Sequence, residues 1–373
     1  MKDCEPDAPV VIPRPKQWSY SSIRSFQLCP LRWVLSNEDA SNQKRTFSIA
    51  SIEGDLVHKL IQSYFERDPS EPFRKSRVLK QLTAVYPEHN QDDRGIVKDL
   101  VQKVSTQDIL FGFIRALETI RAENGDNYTS RKRTPIGVSF EETSQPRGST
   151  FTNGVEKWIE LPDMALCGRP DYYINGVLID FKSGAEHEWH QEQVVFYCAL
   201  IYKKFGKPPT RAKIFYTGSG VSVEVPVPSP TQCEEVLIRY SHIATAAANM
   251  LRSGTAEALP DRDNCSFCPC KPRCEKYWRV IVPQLLQDTN LSIVDVFVPA
   301  EAIVVSRAAY LSVIFSASYG SVEVLFPRHS IHGLIEEDLT GCWVLRARKR
   351  QVGKLISVVL TDQSEVFPAK AGG

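Results

Sequence analysis

Apolar residues recur along this chain with two different periods, and the change between them divides the sequence. From 53 to 66, and again from about 94 to 123, they return every three to four residues, which predicts amphipathic helices. After residue 134 the period shortens to two, as in Ile136–Phe140, which is typical of a half-buried strand. The pattern therefore predicts an α/β protein that begins with helices.

Strands and helices alternate as far as residue 252, and short strands dominate after residue 290. The earlier predicted strands cover 155–161, 164–174, 177–182, 211–217 and 220–226, and the predicted helices cover 187–205 and 229–252. The later β-like runs cover 301–305, 310–316, 321–326, 342–348 and 355–361. These five runs have the extent of a small all-β domain and are compatible with an OB-like barrel. A structural or partner-binding β domain fits them equally well.

The element pattern predicts three segments. Four prolines make residues 1–17 an extended tail. An α/β domain is predicted for 18–290, with a helical insertion over about 53–134 and a cysteine-rich segment at 264–275. A small β domain is predicted for 291–373.

Composition narrows the class of protein without identifying it. Of 373 residues, 42% are hydrophobic and 24% are charged, which excludes a disordered, collagen-like or coiled-coil chain. The net charge of +1 gives no whole-chain evidence for nucleic-acid binding. The first residues lack a signal-peptide core, and no run reaches the ~18 apolar residues of a membrane span. We therefore expect a cytoplasmic protein with no membrane partner, whose ten cysteines are reduced and available to metal.

The segment 168–182 carries the most specific chemical signal. An Asn-Gly pair at 175–176, between two β-like runs, predicts a two-residue hairpin turn. In that register Ile174 faces Val177, and one face of the hairpin is apolar. The other face is polar.

The polar face of this hairpin carries two carboxylates. The predicted register places Asp171 opposite Asp180, with Lys182 on the same face. Like charges directly across a strand pair are destabilising, and a divalent cation between them removes that penalty. Carboxylate oxygens suit Mg²⁺ or Mn²⁺, and a nearby lysine can orient a water or stabilise charge on a phosphate. A solvated polar face on an edge hairpin is the alternative interpretation.

Four cysteines within ten residues form a second candidate site, made of Cys265, Cys268, Cys270 and Cys274. Soft thiolates bind Zn²⁺ or iron–sulfur clusters, and the residues alone do not choose between these. A zinc site that uses all four would be cramped, because one residue separates Cys268 from Cys270.

The hairpin resembles the core of a known enzyme family. Asp171, followed by Asp180-Phe181-Lys182, resembles the Asp…(Asp/Glu)-x-Lys motif of the restriction-endonuclease-like, or PD-(D/E)xK, nucleases. Gly54–His58, Phe140-Glu141 and Gln193–Tyr197 resemble further motifs of the RecB-type branch, in the same order. The resemblance implies a restriction-endonuclease-like core, with a mixed central sheet flanked by helices. It also implies hydrolysis of phosphodiester bonds with Mg²⁺ or Mn²⁺.

The resemblance also implies a role for each matching residue. The implied metal ligands are His58, Asp171 and Asp180; the implied catalytic residues are Asp171, Asp180, Lys182 and Glu141; and Gln193 and Tyr197 would position the DNA strand. Within this scheme Lys182 would orient the attacking water, and Glu141 would assist the metal or the water. Gln193 and Tyr197 share one helix face because they are four residues apart.

The cysteines resemble those of the iron–sulfur branch of RecB-type nucleases, which includes AddB, exonuclease V and a nuclease of CRISPR adaptation. In that branch a C-x2-C-x5-C triplet follows the nuclease core, and a fourth cysteine lies far upstream in a Ser-Tyr-Ser…Cys-Pro segment. Cys265, Cys268 and Cys274 match the triplet, and Cys29 matches the upstream cysteine. The resemblance implies a 4Fe–4S iron–sulfur subdomain held by these four residues. Cys270 is an extra cysteine, and a structural zinc ion stays the alternative.

Basic residues cluster in three runs, at 131–133, 271–279 and 346–354, and the last two lie beside aromatic residues. Basic and aromatic side chains together suit the binding of single-stranded nucleic acid. A solvated charged face is the alternative for any one run.

Together these features predict a Mg²⁺- or Mn²⁺-dependent deoxyribonuclease. We expect an exonuclease acting on single-stranded DNA or DNA ends, in repair, recombination or antiviral defence. A non-catalytic, iron–sulfur or zinc-stabilised subunit that binds DNA in a larger assembly is the alternative. The chain has no helicase P-loop, so a helicase partner would be a separate protein.

Overall fold

The computed structural model describes residues 15–37, 48–67, 72–89, 96–124, 154–318, 320–328, 339–352, 355–361 and 364–368. The chain divides into two compact units, neither continuous in sequence. The hairpin unit contains Ile12–Gln27 and Phe47–Thr255, and the cysteine unit contains Met1–Val11, Leu28–Thr46 and Ala256–Gly373. The domain boundaries at 17 and 290 stay predictions.

Helices precede strands in the described part of the chain. They are α1 (Tyr20–Leu28), α2 (Pro30–Asn37), α3 (Ile49–Glu66), α4 (Lys75–His89), α5 (Ile96–Lys103) and α6 (Thr106–Asn124). Ser48 begins α3 with a capping box, in which its hydroxyl accepts the Ser51 N–H. The Ser105 hydroxyl accepts the Asp108 N–H at 3.1 Å at the start of α6. The apolar pattern of 94–123 therefore forms two helices rather than one, and α4 is not among the predicted helices.

The hairpin unit contains a mixed sheet and two further long helices. Its strands are β1 (Gly154–Val155), β2 (Ile159–Leu161), β3 (Leu166–Gly168), β4 (Tyr172–Ile174), β5 (Val177–Lys182), β6 (Arg211–Tyr216) and β7 (Val221–Val225). Helix α7 (Glu188–Phe205) connects β5 to β6, and α8 (Pro230–Ser253) follows β7. The sheet order is β1-β4-β5-β6-β7, with β5 and β6 parallel and the other neighbours antiparallel. This is the mixed α/β core that the sequence predicts.

The hairpin between β4 and β5 forms in the predicted register. Tyr172 pairs with Ile179, and Ile174 pairs with Val177. Asn175 and Gly176 form the turn with φ values of 53° and 80°, which glycine adopts freely and asparagine tolerates. The predicted register is confirmed from Tyr172 to Ile179.

The apolar face of the hairpin packs against α3 and α6. Leu60 of α3 and Phe113 of α6 share one core with Tyr172 and Ile179 of the hairpin, and all four are buried. Burying a side chain of this kind contributes ~1.5–3 kcal/mol. This packing fixes α3 beside the hairpin and so restricts where the polar residues of α3 can lie.

In the cysteine unit, short helices lead into a seven-stranded sheet. The helices are α9 (Arg262–Ser266), a 3-10 turn (Lys271–Arg273), a π-helical turn (Tyr277–Ile281) and α10 (Val282–Gln287). The strands are β8 (Ile293–Val298), β9 (Ile303–Ser306), β10 (Tyr310–Ala317), β11 (Gly320–Pro327), β12 (Cys342–Val352), β13 (Leu355–Val359) and β14 (Glu365–Pro368). The sheet order is β14-β12-β13-β11-β10-β9, and β8 also pairs with β12.

This sheet differs from the predicted pattern in two respects. It contains β8 and β14 in addition to the five predicted strands, and no five-stranded OB-like barrel is seen in the described residues. Its core also includes Tyr277 and Leu286, which pack with Val296 and Val344 of the strands. Residues on both sides of position 290 therefore share one core.

Several predicted features lie outside the described residues. They are the strand over 135–141 with Glu141, the basic run 131–133, Lys354, and residues 1–14 of the tail. No helix in the described ranges is long and apolar enough to cross a membrane.

Candidate metal centre

Three side chains that can bind a metal ion meet at one end of the hairpin. His58 comes from α3, Glu156 follows β1, and Asp171 precedes β4. One donor atom from each lies within 4.8 Å of the others. His58 Nδ1 is 3.4 Å from Asp171 Oδ1 and 3.6 Å from Glu156 Oε1. The second oxygen of Asp171 accepts the Phe181 N–H at 2.7 Å, which fixes the orientation of this carboxylate.

The backbone explains why Glu156 joins this group. Strand β1 pairs with β4 so that Val155 lies opposite Tyr172, and the Glu156 N–H then donates to the Asp171 carbonyl at 3.1 Å. Glu156 itself has a φ of 54°, in the left-handed region that non-glycine residues rarely adopt. Strained backbone of this kind concentrates at functional sites. The pairing of β1 with β4 and the left-handed φ of Glu156 together place the Glu156 and Asp171 carboxylates side by side.

Gly54 lets α3 approach the end of β5 closely enough to deliver His58. A Cβ atom at position 54 would lie 2.4 Å from Ser183 Oγ and 3.2 Å from Ser183 Cβ. An added Cβ would therefore require the Ser183 hydroxyl to rotate away and α3 to shift slightly from the end of β5. His58 follows Gly54 by four residues, about one helical turn.

The charges of the three groups depend on one another. Burial lowers the pKa of His58, but the Asp171 and Glu156 carboxylates outweigh burial and raise it to about 10. Burial raises the pKa of Asp171, whereas His58, Lys182 and the Phe181 N–H lower it, and the net result lies below the ordinary value. The protonated imidazole thus supplies the positive charge that two adjacent carboxylates require. A metal ion would need His58 in its neutral form.

Asp180 and Lys182 form an ion pair beside this group. Lys182 Nζ lies 2.6 Å from Asp180 Oδ2. Burial, with a smaller contribution from Asp171, raises the pKa of Asp180 to about 6 even though Lys182 opposes the shift. Burial lowers the pKa of Lys182, but Asp180 and Asp171 outweigh it, so the net shift is upward and the amine stays a cation.

The donor set fits a small divalent cation. One imidazole nitrogen and two carboxylate oxygens gather at one point. The two carboxylates are the ligands that Mn²⁺ and Mg²⁺ prefer, and the imidazole adds a nitrogen donor that is more typical of transition metals. The raised pKa of His58 shows that the cluster attracts positive charge. Asp180 points to Lys182 here and is not one of the three gathered donors.

Gln193 and Tyr197 lie on one face of α7, as their spacing predicts. Gln193 Nε2 donates to Tyr197 Oη at 2.9 Å, and both residues are buried. Burial, followed by the charges of Asp180 and Asp171, raises the pKa of Tyr197. The tyrosine is therefore within electrostatic reach of the carboxylates. The lack of a side chain at Gly168 leaves room for the Tyr197 ring, because a Cβ at that position would lie 3.0 Å from the ring.

The structure thus brings together six of the predicted site residues and adds one that was missed. His58, Asp171, Asp180, Lys182, Gln193 and Tyr197 lie around one centre, while Glu141 lies outside the described residues. The ladder of β4 and β5 ends at Tyr172, so Asp171 binds the Phe181 N–H instead of pairing directly with Asp180. Glu156 is the missed residue. The chemical roles of all these residues stay predictions.

A comparison with family models identifies the larger group to which this site belongs. The model described as the PD-(D/E)XK nuclease superfamily matches residues 17–275, which is more than half of the chain. The chain belongs to the PD-(D/E)XK nuclease superfamily. Members of this superfamily are typically metal-dependent nucleases that act on nucleic acid. A comparison with curated proteins gave no match.

The cysteines of this PD-(D/E)XK protein line one pocket in the cysteine unit. Cys29, Cys265, Cys268, Cys270 and Cys274 all contribute to its wall. The N–H groups of Arg32 and Leu259 both donate to Cys29 Sγ, each at 3.4 Å. Backbone N–H donors of this kind stabilise thiolate ligands of metal clusters. Cys270 Sγ lies 3.2 Å from Ser36 Oγ and 3.8 Å from the Arg32 carbonyl, and its hydrogen bond with Cys268, together with burial, raises the pKa of the Cys268 thiol.

In this structure no three of these thiols are as close to one another as a single zinc ion requires. With Zn–S bonds of about 2.3 Å, tetrahedral geometry places sulfurs about 3.8 Å apart. Among the described residues no three cysteine sulfurs lie within 4.8 Å of one another, since only His58, Glu156 and Asp171 satisfy that limit. The thiols are nonetheless close enough to interact. Burial and then, more weakly, Cys268 and Cys29 raise the pKa of both Cys265 and Cys274.

Many residues of the predicted basic runs form ion pairs or hydrogen bonds within the cysteine unit. Lys271 binds Asp295 at 2.8 Å, Arg279 binds Glu275 at 2.6 Å, and Arg346 binds Glu365. Arg273 donates to the Leu35 carbonyl, and Lys349 donates to the carbonyls of Leu285, Leu286 and Asp288. The exposed members of the two runs are Lys276, Arg279, Arg348 and Arg350. The basic surface is therefore smaller than the sequence suggests.

Proposed function

We propose that this superfamily member is a Mg²⁺- or Mn²⁺-dependent deoxyribonuclease that acts on single-stranded DNA or on DNA ends. The observation that carries the proposal is the grouping of His58, Glu156 and Asp171 beside the Asp180–Lys182 pair. This arrangement combines a candidate cation site with a partly buried ammonium. Those are the two features that hydrolysis of a phosphodiester by water requires.

Each residue of the centre has a distinct part in this proposal. His58, Asp171, Asp180 and Glu156 would hold the ion, and Asp180 is paired with Lys182 in this structure. A bound Mg²⁺ or Mn²⁺ would polarise the phosphate and lower the pKa of a water molecule. Lys182 orients the attacking water and stabilises negative charge that develops on the phosphate. The position of Glu141 is not described, so its assisting role stays a prediction.

Gln193 and Tyr197 would hold the DNA strand beside these groups. Their mutual hydrogen bond at 2.9 Å fixes both side chains on the inner face of α7. Because the pKa of Tyr197 is raised, its hydroxyl keeps its proton at neutral pH and can donate to a phosphate oxygen.

We also propose that Cys29, Cys265, Cys268 and Cys274 bind a 4Fe–4S cluster. A four-iron cluster offers its ligand positions on separate iron atoms, so it accommodates thiols spread more widely than one zinc ion does. The two N–H donors to Cys29 Sγ are the kind of hydrogen bond that the sulfurs of such clusters accept. Cys270 lies outside the C-x2-C-x5-C triplet and contacts Ser36, Arg32 and Cys268, so this proposal does not use it as a ligand.

The cluster is tested by anaerobic purification and metal analysis. We expect brown protein with iron, sulfide and broad absorbance near about 400 nm. Cys268→Ala should lose this absorbance, whereas Cys342→Ser should keep it, because Cys342 lies in β12 and contacts the Leu339 carbonyl. Stoichiometric zinc without iron or sulfide would refute the cluster and favour the structural zinc alternative.

The nuclease proposal is tested with end-labelled and circular substrates. Linear and circular single-stranded DNA, duplex DNA and RNA are each incubated with Mn²⁺ and separately with EDTA. We expect Mn²⁺-dependent loss of linear single-stranded DNA, abolished in Asp171→Ala and Lys182→Ala. Lys203→Ala is the matched lysine control, because Lys203 pairs with Glu234 on the exposed side of α7. DNA binding without cleavage would instead support a non-catalytic subunit of a larger assembly.

A further inference from the structure

Trp158 is the most exposed of the six tryptophans in the chain, and it lies beside the candidate metal centre. Its exposed fraction is 59%, whereas Trp18 and Trp33 are buried. It follows Glu156 by two residues, in the short link between β1 and β2. A single exposed apolar side chain needs no explanation by itself, so the inference depends on the position of Trp158 beside the metal centre and on the arginine next to its ring.

Arg169 joins this indole ring to the metal centre. Its guanidinium carbon lies 5.8 Å from the centre of the Trp158 ring, within the range of cation–π contacts. Its Nε lies 2.8 Å from Glu156 Oε2, and the other oxygen of Glu156 faces His58. Glu156, Arg169 and Trp158 therefore form a continuous path from the metal centre to solvent. We call the last two residues the Trp158–Arg169 platform.

We propose that a nucleobase of a single-stranded substrate stacks on Trp158 while Arg169 neutralises a phosphate of the same strand. The proposal rests on the nuclease function above and specifies how that site chooses its substrate. An aromatic ring combined with a basic group is the arrangement by which proteins hold single strands without reading their sequence. Arginine suits the phosphate because its planar donors match phosphate oxygens.

The platform accounts for a preference for single strands over the interior of a duplex. A base inside a duplex is already stacked and paired, so its face is not available to an indole ring. A base in a single strand or at a frayed end is free to leave its neighbours and stack on Trp158. The platform therefore selects unpaired nucleotides next to the bond that is cut.

The first test compares kcat/KM for linear single-stranded DNA between variants. Trp158→Ala should lower kcat/KM about 5- to 150-fold, the usual effect of removing one stacking residue. Trp158→Phe should restore most of the loss, because a phenyl ring also stacks. Phe111→Ala is the matched control: Phe111 is 48% exposed on α6, and its removal should leave kcat/KM unchanged.

The second test separates stacking from a structural effect of the substitution. Oligonucleotides carry one abasic position at successive sites around the cleaved bond. For the wild-type protein, one abasic position should lower kcat/KM by about the same factor as Trp158→Ala. For Trp158→Ala, that abasic substrate should be cleaved as fast as the intact one, because the stacked pair is already lost.

The outcomes distinguish this inference from the nuclease proposal. A wild-type protein that cleaves no nucleic acid defeats the nuclease function itself. If the wild-type protein cleaves DNA, but the effect of Trp158→Ala on kcat/KM is independent of the effect of every abasic position, only the platform is overturned. Unchanged kinetics in Trp158→Ala would also overturn it and would point to a protein partner on this indole.

Discussion

Binding of Mn²⁺ should release a proton from His58, and the amount released tests the geometry of the candidate metal centre. In this structure the two carboxylates outweigh burial and raise the pKa of His58 to about 10. The imidazole is therefore protonated at pH 8. Metal binding requires the neutral ring, so the proton must leave when Mn²⁺ binds.

The magnitude follows from the pKa. A group with a pKa of about 10 carries about 0.99 proton at pH 8, whereas an ordinary histidine with a pKa of about 6.5 carries about 0.03. Asp180, with a pKa raised to about 6, is already ionised at pH 8 and contributes little. We therefore expect close to one proton per Mn²⁺. Because the proton competes with the metal, the apparent Kd should fall about tenfold per pH unit from pH 7 to pH 9.

Calorimetric titration of the metal-free centre with Mn²⁺ measures this release. The observed enthalpy is compared at pH 8 in buffers with different ionisation enthalpies, and the slope gives the number of protons released. His58→Gln should abolish the release and weaken binding. His242→Gln is the matched control, because His242 lies on α8 outside the site. Release below about 0.2 proton, or a Kd independent of pH, would refute the coupling of His58 to Asp171 and Glu156.

Three further predictions concern glycines and a buried carboxylate. Gly54→Ala should weaken Mn²⁺ binding about tenfold or more, because the added Cβ would lie 2.4 Å from Ser183 Oγ and displace α3. The double substitution Gly54→Ala/Ser183→Gly should restore binding. A Mn²⁺ titration that shows no change in Gly54→Ala would contradict this. Gly168→Ala should destabilise the protein by about 1–3 kcal/mol in urea unfolding, because its Cβ would lie 2.6 Å from Leu200, whereas Gly184→Ala, with nothing within 4 Å, should not. Asp295→Asn should cost about 3–5 kcal/mol, because Tyr277, Lys271 and the Arg346 N–H all donate to this buried carboxylate. Glu275→Gln, in an exposed pair, should change stability by less than about 0.5 kcal/mol, and equal effects of the two substitutions would show that the Asp295 contacts do not matter.

The local parts of the site could be predicted from sequence. The Asn175-Gly176 turn fixes the register of its own two strands, so Tyr172 and Ile179 pair as predicted. The four-residue spacing of Gln193 and Tyr197 likewise fixes a shared helix face. In both cases the residues that predict the feature lie within a few positions of it in the sequence.

Glu156 could not be found in this way. Its position depends on the pairing of β1 with β4 and on a left-handed φ of 54°, and neither has a signature in the residues around it. For the basic runs the sequence suggests more exposed positive charge than the structure has. Lys271 and Arg346 suggest a surface for nucleic acid, but they bind Asp295 and Glu365, which lie at distant positions that no local pattern reveals.

The discontinuous cysteine unit has a consequence for biosynthesis. Cys29 is made 236 residues before Cys265, a delay of about 12 to 47 s at ordinary translation rates of about 5–20 residues per second. During that interval all of Phe47–Thr255 is synthesised, so the segments of the hairpin unit are complete before the last thiols exist. A metal held by all four of these cysteines, as proposed above, could therefore be loaded only after the segments of the hairpin unit have been synthesised.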